Sequence, residues 1–370
     1  MMADLRVEKL ADMLVNYSIE VRPGDRVLIQ GESLAAPLIE AVYGKVLEAG
    51  GHPMTLVSLP GIAEAFFRYA SDEQLQYVHE PVKMIYETYD ARIRIIGESN
   101  TKALSNVDPA KMVLRDRANA ELMKIFMERS ASKELRWVVA PFPTNAYAQD
   151  ADMSLSEYED FVYSACMPDA DDPVSYWQGF RAWQEKIVDW LKTKEQIHVV
   201  GPETDLRLSI AGRTFNNSAG KHNVPDGEVF TGPVEDSVEG SVCFSYPAIH
   251  MGREVTGIRL RFEKGKVVEA SAEKNEDFLL QTLDSDEGAR YVGEFAIGTN
   301  EAITRFTRQI LFDEKINGSF HMALGAGYPE TGSKNVSAIH WDMICDLGDG
   351  GEIRADGELL YKNGKFVIEL

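Results

Sequence analysis

The chain has 370 residues, of which 44% are hydrophobic, and its 38 basic and 59 acidic side chains give a formal net charge of −21. This length exceeds the usual size of a single hydrophobic core, so two domains are expected, and the hydrophobic fraction is too high for a disordered chain. Such an acidic balance argues against nucleic acid or an anionic membrane surface as a partner.

The cysteines and the lack of long apolar runs indicate the compartment. Cys166, Cys243 and Cys345 are odd in number, lie far apart and form no CxxC motif, which favours a reducing compartment. No run approaches the roughly 20 apolar residues of a membrane span, and the amphipathic N-terminal stretch is not typical of a signal peptide. We therefore expect a cytoplasmic protein that does not span a membrane.

The first half of the chain alternates between helical and strand patterns. Apolar spacing predicts helices over residues 4–18, 34–50, 61–70, 73–88 and 109–130, and short apolar runs predict strands over residues 26–31, 52–57, 91–96 and 136–140. This alternation implies right-handed crossovers and a mainly parallel sheet. Residues 142–195 are predicted to form a helical, acidic bridge, so that residues 1–195 make up an α/β scaffold domain.

This first domain carries no nucleotide-binding signature. The loop after its first strand is Gln30-Gly31-Glu32-Ser33, which lacks GxGxxG and places an acidic side chain where a pyrophosphate would bind. There is no GxxxxGK[ST] motif either. The sequence therefore favours a scaffold or lid role over dinucleotide binding.

From residue 196 onwards strand patterns dominate. They predict strands over residues 196–200, 204–210, 240–252, 254–262, 266–272, 291–298, 319–324 and 339–343, and one helix over 275–283. Asp356-Gly357 and Asn363-Gly364 are favoured hairpin turns. The predicted fold class is α/β, with an N-terminal, mainly parallel α/β sandwich domain followed by a β-rich α+β domain over residues 196–370.

The candidate chemistry lies where ionisable side chains occur in apolar, glycine-bounded segments of the second domain. An ionised carboxylate in such a place is costly unless a cation or metal pairs with it. Three carboxylates and two imidazoles suit two divalent ions about 3.5–4 Å apart. The residues that qualify are Glu228, Glu294, His321, His340 and Asp342.

Each of these residues also has a purely structural interpretation. Glu228 could close a salt bridge, Glu294 could cap a loop, and either histidine could be a hydrogen-bonded core residue. If the structural interpretation were correct for all five residues at once, the second domain would contain several buried polar groups without an explanation. If residues 339–343 form a strand, His340 and Asp342 point to the same face. The sequence does not identify a separate general base: a metal-bound carboxylate could serve, and so could Glu235, Asp236 or Glu239, although these three are more typical of a solvated acidic turn.

The chain resembles the aminopeptidase T/aminopeptidase S family of two-metal exopeptidases. The motifs that carry the resemblance, in the family's order, are GRTFNN, NVPDGEVFTGP, VGEFAIG, FHMALGAGYPETG and SAIHWDMI. The resemblance covers essentially the whole chain, although the chain is shorter than typical members, which leaves the shape of the substrate chamber open. It implies a metal-dependent aminopeptidase that acts on peptide substrates as a homodimer.

The resemblance also implies roles for individual residues. It implies two divalent ions, zinc, cobalt or manganese, that activate a water for attack on the peptide bond. Tyr328 matches the family's active-site tyrosine and is expected to donate a hydrogen bond to the developing oxyanion. Glu294 is expected to bridge the two ions, because its segment is the most apolar of the three carboxylate segments. The matching metal ligands are Glu228, Glu294, His321, His340 and Asp342.

Two alternatives remain at this level. Another two-metal hydrolase, an amidohydrolase or a phosphoesterase, would use the same ligand types, but a phosphate substrate favours Arg or Lys near them. Lys221 and Lys334 are the nearest basic residues in the sequence to Glu228 and His340. A non-catalytic protein with a structural metal is less favoured, because such sites are usually closed and cysteine-rich.

Overall fold

The computed structural model describes residues 4–368. The chain divides into two compact units, one formed by the residues up to Tyr176 together with Gly220–Pro225, and the other by Trp177–Ala219 together with the residues from Asp226 onwards. The unit boundary falls within the helix Pro173–Leu191. A functional domain boundary at residue 195 stays a prediction.

The first unit is built on a four-stranded sheet in which every neighbouring pair is parallel, as the alternating pattern predicted. The strand order is β2-β1-β3-β4. Val27–Ile29 in the first strand, together with Ile93 and Ile95 in the third, are buried, which explains the short apolar runs in the sequence. The strands are β1 Arg26–Glu32, β2 His52–Ser58, β3 Ala91–Ile96 and β4 Arg136–Pro141.

The helices of this half match the predictions except in one place. The single helix predicted over residues 73–88 is wrong. The structure has two helices there, because Pro81 lacks the backbone N–H that a helix interior requires and starts a new helix in its first turn. The first nine helices are α1 Leu5–Asp12 (continued by a π-helical turn, Met13–Ser18), α2 Ala36–Glu48, α3 Ile62–Tyr69, α4 Asp72–Gln76, α5 Glu80–Thr88, α6 Pro109–Ala131, α7 Asn145–Asp150, α8 Leu155–Cys166 and α9 Pro173–Leu191.

The second unit contains two antiparallel sheets, of eight and five strands, and a small hairpin. The eight-stranded sheet has the order β13-β12-β9-β6-β5-β17-β18-β19, the five-stranded sheet has the order β16-β15-β14-β8-β7, and β10 pairs with β11. The strands are β5 Gln196–Gly201, β6 Thr204–Ser209, β7 Asn216–Ser218, β8 Glu228–Thr231, β9 Glu239–Cys243, β10 Ala248–His250, β11 Arg253–Val255, β12 Arg259–Glu263, β13 Lys266–Ser271, β14 Val292–Gly298, β15 Ser319–Gly325, β16 His340–Asp346, β17 Glu352–Ala355, β18 Glu358–Lys362 and β19 Lys365–Phe366. The helices are α10 Glu276–Leu283 and α11 Ile310–Asp313.

Two long strands predicted in this half are each broken in the structure. The strand predicted over residues 240–252 is β9 and β10, separated by a segment that contains Pro247, which cannot donate to a sheet. The strand predicted over 254–262 is the end of β11 and β12, separated around Gly257, which has a φ of +65°. Both predicted C-terminal hairpins are present, as β17–β18 and β18–β19.

The core of the second unit leaves one face of the five-stranded sheet available for chemistry. Phe295 of β14 with Phe320 and Met322 of β15 belong to a buried cluster that also contains side chains of the eight-stranded sheet. Because strand side chains alternate, the residues between them point to the opposite face. Within residues 4–368 no helix has the length and apolar character that crossing a membrane requires.

Candidate metal centre

The register of the five-stranded sheet places the predicted side chains on one face. His321 lies opposite Ala296, Asp342 lies opposite Ala323, and His340 lies opposite Gly325. Glu294 pairs with Ala323, and Glu228 pairs with Gly298. Directly opposed residues of an antiparallel pair share a face, so all five predicted ligands point to the side away from Phe295 and Phe320.

Small residues beside these side chains keep that face open. The directly opposed partners of the ligands are alanine or glycine at four positions, Ala296, Gly298, Ala323 and Gly325. A Cβ at Gly298 would lie 2.2 Å from the carbonyl oxygen of Ile316, and Gly325 has a φ of +101°, which favours glycine. The sequence pattern of strands interrupted by small residues thus makes room for a cluster of polar side chains.

The ligand atoms form two groups that share Glu294. Nε2 of His321 lies 3.4 Å from Oε2 of Glu228 and 3.8 Å from Oε1 of Glu294. Nε2 of His340 lies 3.3 Å from Oε2 of Glu294 and 3.5 Å from Oδ1 of Asp342. One group is Glu228, Glu294 and His321, and the other is Glu294, His340 and Asp342; in each group, one ligand atom from every residue lies within 4.8 Å of the others.

Glu314 completes a third group, with His321 and Asp342, that the sequence analysis missed. It follows α11 directly, and the next residue, Lys315, has a fully buried side chain. Nζ of Lys315 is in contact with a carboxylate oxygen of Glu314 and lies 4.0 Å from Oε1 of Glu228. The fold therefore places beside Glu228 a lysine that is distant from it in sequence.

Glu314 and Lys315 were not predicted as site residues because the segment around them is rich in charged residues. Asp313-Glu314-Lys315 is typical of a solvated turn, whereas the predicted ligands are isolated ionisable residues in apolar runs. The available signal was the apolar pair Leu311–Phe312 before it, which is buried and precedes the charged residues directly.

The histidines have strongly perturbed acidities in the absence of bound ions. Burial disfavours the charged form of His340, but the Asp342 carboxylate outweighs it and raises the pKa of His340 to about 12. For His321 burial is likewise outweighed, by a hydrogen bond with Glu294 and the charge of Glu228, and its pKa rises to about 9. Both imidazoles are therefore expected to carry a proton near neutral pH until a cation displaces it.

The carboxylates differ in acidity because they have different neighbours. Burial raises the pKa of Glu228 to about 8, and the nearby positive charge of Lys315 only partly offsets it. Burial acts in the same direction on Asp342, but His340 outweighs it and lowers the pKa of Asp342 to about 2. For Lys315 burial is outweighed by Glu314 and Glu228, which raise its pKa above the usual range and keep the amine protonated.

These residues have the features expected of metal ligands. Nδ1 of His340 lies 2.7 Å from the carbonyl oxygen of Ala326, a hydrogen bond that orients a ligating imidazole and leaves Nε2 facing the carboxylates. Oε2 of Glu228 is buried and has no hydrogen-bond partner among the described residues. A buried carboxylate oxygen without a donor is costly, and a divalent ion would satisfy it.

Tyr328 lies beside this cluster. Its ring centroid is 5.2 Å from that of His340 and 5.6 Å from that of Phe230. Burial raises the pKa of Tyr328 well above its usual range, so the hydroxyl remains a donor at neutral pH. The Tyr328 hydroxyl makes no hydrogen bond within residues 4–368.

Two of the acidic residues considered from the sequence, Glu235 and Glu239, have other hydrogen-bond partners. Oε2 of Glu235 lies 2.6 Å from Nη2 of Arg213, and Oε1 of Glu235 accepts a hydrogen bond from the backbone N–H of Lys334. Arg213 also donates to the carbonyl oxygen of Gly332. Arg213 and Glu235 therefore hold the backbone of the segment that follows Tyr328 in place by hydrogen bonds. The carboxylate of Glu239 accepts from the backbone N–H of Lys264. Neither glutamate belongs to a metal-type group.

Comparison with known proteins bears directly on this cluster. The thermophilic metalloprotease family matches residues 3–366. The chain belongs to the thermophilic metalloprotease family. It is 29% identical to aminopeptidase T of Thermus thermophilus and 26% identical to aminopeptidase 2 of Geobacillus stearothermophilus, in each case over 98% of both chains.

Two solved structures are similar to this chain in fold. The structure of wild-type AmpT from Thermus thermophilus superposes with a TM-score of 0.87 and 26% identity, over 98% of this chain and 99% of that one. A 2,5-dihydroxypyridine dioxygenase from Pseudomonas putida has a TM-score of 0.59 at 12% identity and shares the fold alone. Since that fold also occurs in an oxygenase, the architecture does not by itself determine the reaction.

Proposed function

We propose that this metalloprotease is an aminopeptidase that removes the N-terminal residue of peptides with two divalent metal ions. The proposed ligands are those derived from the sequence: Glu228, Glu294, His321, His340 and Asp342. The observation that carries the proposal is Glu294, whose two carboxylate oxygens face different histidines and which belongs to two groups of donors at once. A carboxylate shared in this way suits a pair of ions about 3.5–4 Å apart.

The family and its named members support the peptide reaction. The chain belongs to a family of metal-dependent peptide hydrolases. The relatives that match it over 98% of both chains are named aminopeptidases. The family implies divalent metal, and the carboxylates and imidazoles on one sheet face could hold it. We propose zinc, cobalt or manganese as the ion.

The side chains have separate roles in the proposed reaction. Divalent ions held by these carboxylates and imidazoles would supply Lewis acidity, which would polarise the scissile carbonyl and lower the pKa of a water molecule. Glu294 holds the shared position between the two donor groups, and we assign the role of proton acceptor to this carboxylate. His340 is held in orientation by its bond to the Ala326 carbonyl oxygen. The Tyr328 hydroxyl, without a partner of its own, donates to the oxygen that gains negative charge.

We also propose a cytoplasmic homodimer. None of the three cysteines is in a disulfide, which is typical of a reducing compartment. Strand β2 lies at the edge of the first unit's sheet and exposes Met54, Leu56 and Val57. Exposed apolar side chains on an unpaired edge strand suit contact with another chain. Light scattering during gel filtration measures the oligomeric state, and a monomer at micromolar concentration would contradict this proposal.

The test of the function uses metal-stripped protein and leucine p-nitroanilide. We expect no hydrolysis without metal, recovery on titration with Co²⁺ or Zn²⁺, and saturation near two ions per chain. Glu294→Gln should remain inactive at saturating metal, because the amide cannot bridge two cations. Hydrolysis by the metal-stripped protein at the same rate as with metal, or full activity of Glu294→Gln, would contradict the proposal.

Two further substrates define the reaction class. Acetyl-leucine p-nitroanilide has no free α-amino group, and we expect it to be inert with an aminopeptidase. p-Nitrophenyl phosphate tests the phosphoesterase alternative. Hydrolysis of the acetylated amide at a rate similar to the free one would indicate an amidase, and turnover of the phosphate ester in place of the amide would indicate a phosphoesterase.

A further inference from the structure

Lys315 is the cation that the chain itself places among the proposed ligands. Its side chain is fully buried, touches a carboxylate oxygen of Glu314 and lies 4.0 Å from Oε1 of Glu228. Fully buried lysines are rare unless paired, and these two carboxylates are the acidic groups closest to the ammonium. A positive charge is therefore fixed at one end of a cluster that is proposed to bind positive ions.

The contacts of Lys315 are unequal among the three donor groups. Glu228 belongs to the group with Glu294 and His321, and Glu314 belongs to the group with His321 and Asp342, so each of these groups contains a carboxylate beside the ammonium. Within residues 4–368 the ion pairs of Lys315 are with Glu228 and Glu314, and its charge reaches Asp342 only from a longer distance.

The charges around Lys315 show how the two metal positions would differ. With both imidazoles neutral, as metal ligation requires, the four carboxylates of the three groups carry up to four negative charges, and the ammonium of Lys315 lies beside two of them. Each bound divalent ion offsets part of this negative charge. The second ion therefore enters a weaker field than the first, and the ammonium near Glu228 and Glu314 repels it at short range.

We infer that Lys315 makes the two metal positions unequal, so that the ion held by Glu294, His340 and Asp342 binds first and the ion that needs Glu228 binds second and more weakly. The inference rests on the proposed two-metal function. Lys315 acts as a positioning residue in this scheme, because it holds Glu228 and Glu314 by charge and is not assigned contact with substrate. In the metal-free cluster the Lys315 ammonium remains as a counter-ion to the carboxylates. The ion that needs Glu228 would dissociate more readily than the other.

The experiment is a Co²⁺ titration of metal-stripped protein by calorimetry, without substrate. We expect two resolved steps for the natural chain. In Lys315→Met the weaker step should tighten by roughly tenfold or more, because a unit charge several ångströms from a divalent ion is removed from a partly buried site, and the tighter step should change by less than about threefold. Lys315→Arg keeps the charge and should keep two separate steps.

Matched variants assign the steps to positions. Lys334→Met removes an exposed lysine in the segment after Tyr328 and should leave both steps unchanged. Glu228→Gln should lose the weaker step and keep the tighter one, whereas His340→Ala should lose the tighter one. If Lys315→Met does not fold, Lys315→Gln removes the same charge with an amide that can still bond to Glu314.

A stability measurement separates this role from simple packing. Without metal, Lys315→Gln should melt at a lower temperature than the natural chain, because the carboxylates lose their counter-ion; with saturating Co²⁺ the gap should close. A packing role would lower both melting temperatures alike. Two equal steps in the natural chain, or a weaker step that does not tighten in either neutral variant, would overturn the inference, while binding of fewer than two ions by the natural chain would instead refute the two-metal proposal.

Discussion

The Tyr328→Phe substitution isolates one hydroxyl from everything else in the site. The ring of Tyr328 packs against those of Phe230 and His340, at centroid distances of 5.6 and 5.2 Å, and phenylalanine preserves both contacts. Since the hydroxyl has no hydrogen-bond partner within residues 4–368, its removal breaks no bond in the folded protein. We expect the free energy of unfolding to change by less than about 1 kcal/mol, since a typical hydrogen bond contributes about that much.

The expected effect on rate is far larger than the effect on stability. A donor aimed at a developing oxyanion typically contributes roughly 10²–10³ in turnover, about 2.7–4 kcal/mol of barrier. None of the five sequence-derived ligands is replaced, so the variant should still bind two ions. The loss should appear in kcat with little change in KM, because the hydrogen bond strengthens only as negative charge forms.

The assay compares leucine p-nitroanilide turnover at saturating Co²⁺, metal content and chemical denaturation for the two proteins. Tyr246→Phe is the control, because Tyr246 stacks on Phe306 at 5.0 Å and contacts none of the five ligands through its ring. Turnover of Tyr328→Phe within about threefold of the natural chain, with full metal content, would refute the oxyanion role. A variant that lost metal would show instead that the hydroxyl supports the ligands.

Three further predictions concern the rest of the site. Glu314→Gln should weaken binding of one ion by about tenfold in a Co²⁺ titration, because it removes a negative charge from the third donor group; unchanged affinity would exclude Glu314 from the site. Because His321 and His340 hold protons in the metal-free protein, with pKa values raised to about 9 and about 12, metal affinity should rise from pH 6 to pH 9. At pH 7 protons should be released on binding, as calorimetry in buffers of different ionisation enthalpy would measure; an affinity independent of pH would contradict the assignment. Arg213→Ala should lower the free energy of unfolding by about 2–3 kcal/mol, because it removes a 7% exposed guanidinium that pairs with Oε2 of Glu235 and donates to the carbonyl oxygen of Gly332. Replacing Arg207, whose side chain is 62% exposed, should lower the free energy of unfolding by under about 0.5 kcal/mol; urea titration of the two variants measures both changes.

The sequence determined those features that depend on local pattern. Strand and helix periodicity predicted the parallel sheet of the first unit and most strands of the second, because alternation of apolar side chains follows directly from which face is buried. Parity within one strand also predicted that His340 and Asp342 share a face, as the register shows. Where prediction failed, a proline or a glycine had interrupted a pattern, as at Pro81 and Gly257.

The tertiary structure decided which of these side chains meet. Glu228 and Asp342 lie on strands at different positions in one sheet, and only the pairing of β8, β14, β15 and β16 brings them to the same face. Glu314 and Lys315 were invisible to the sequence analysis, because a run of charged residues normally lies in water and its burial depends on packing of the preceding turn. Contacts between residues far apart in sequence depend on register and burial, which a local pattern does not contain, and the unequal surroundings of the proposed metal positions therefore follow from the fold alone.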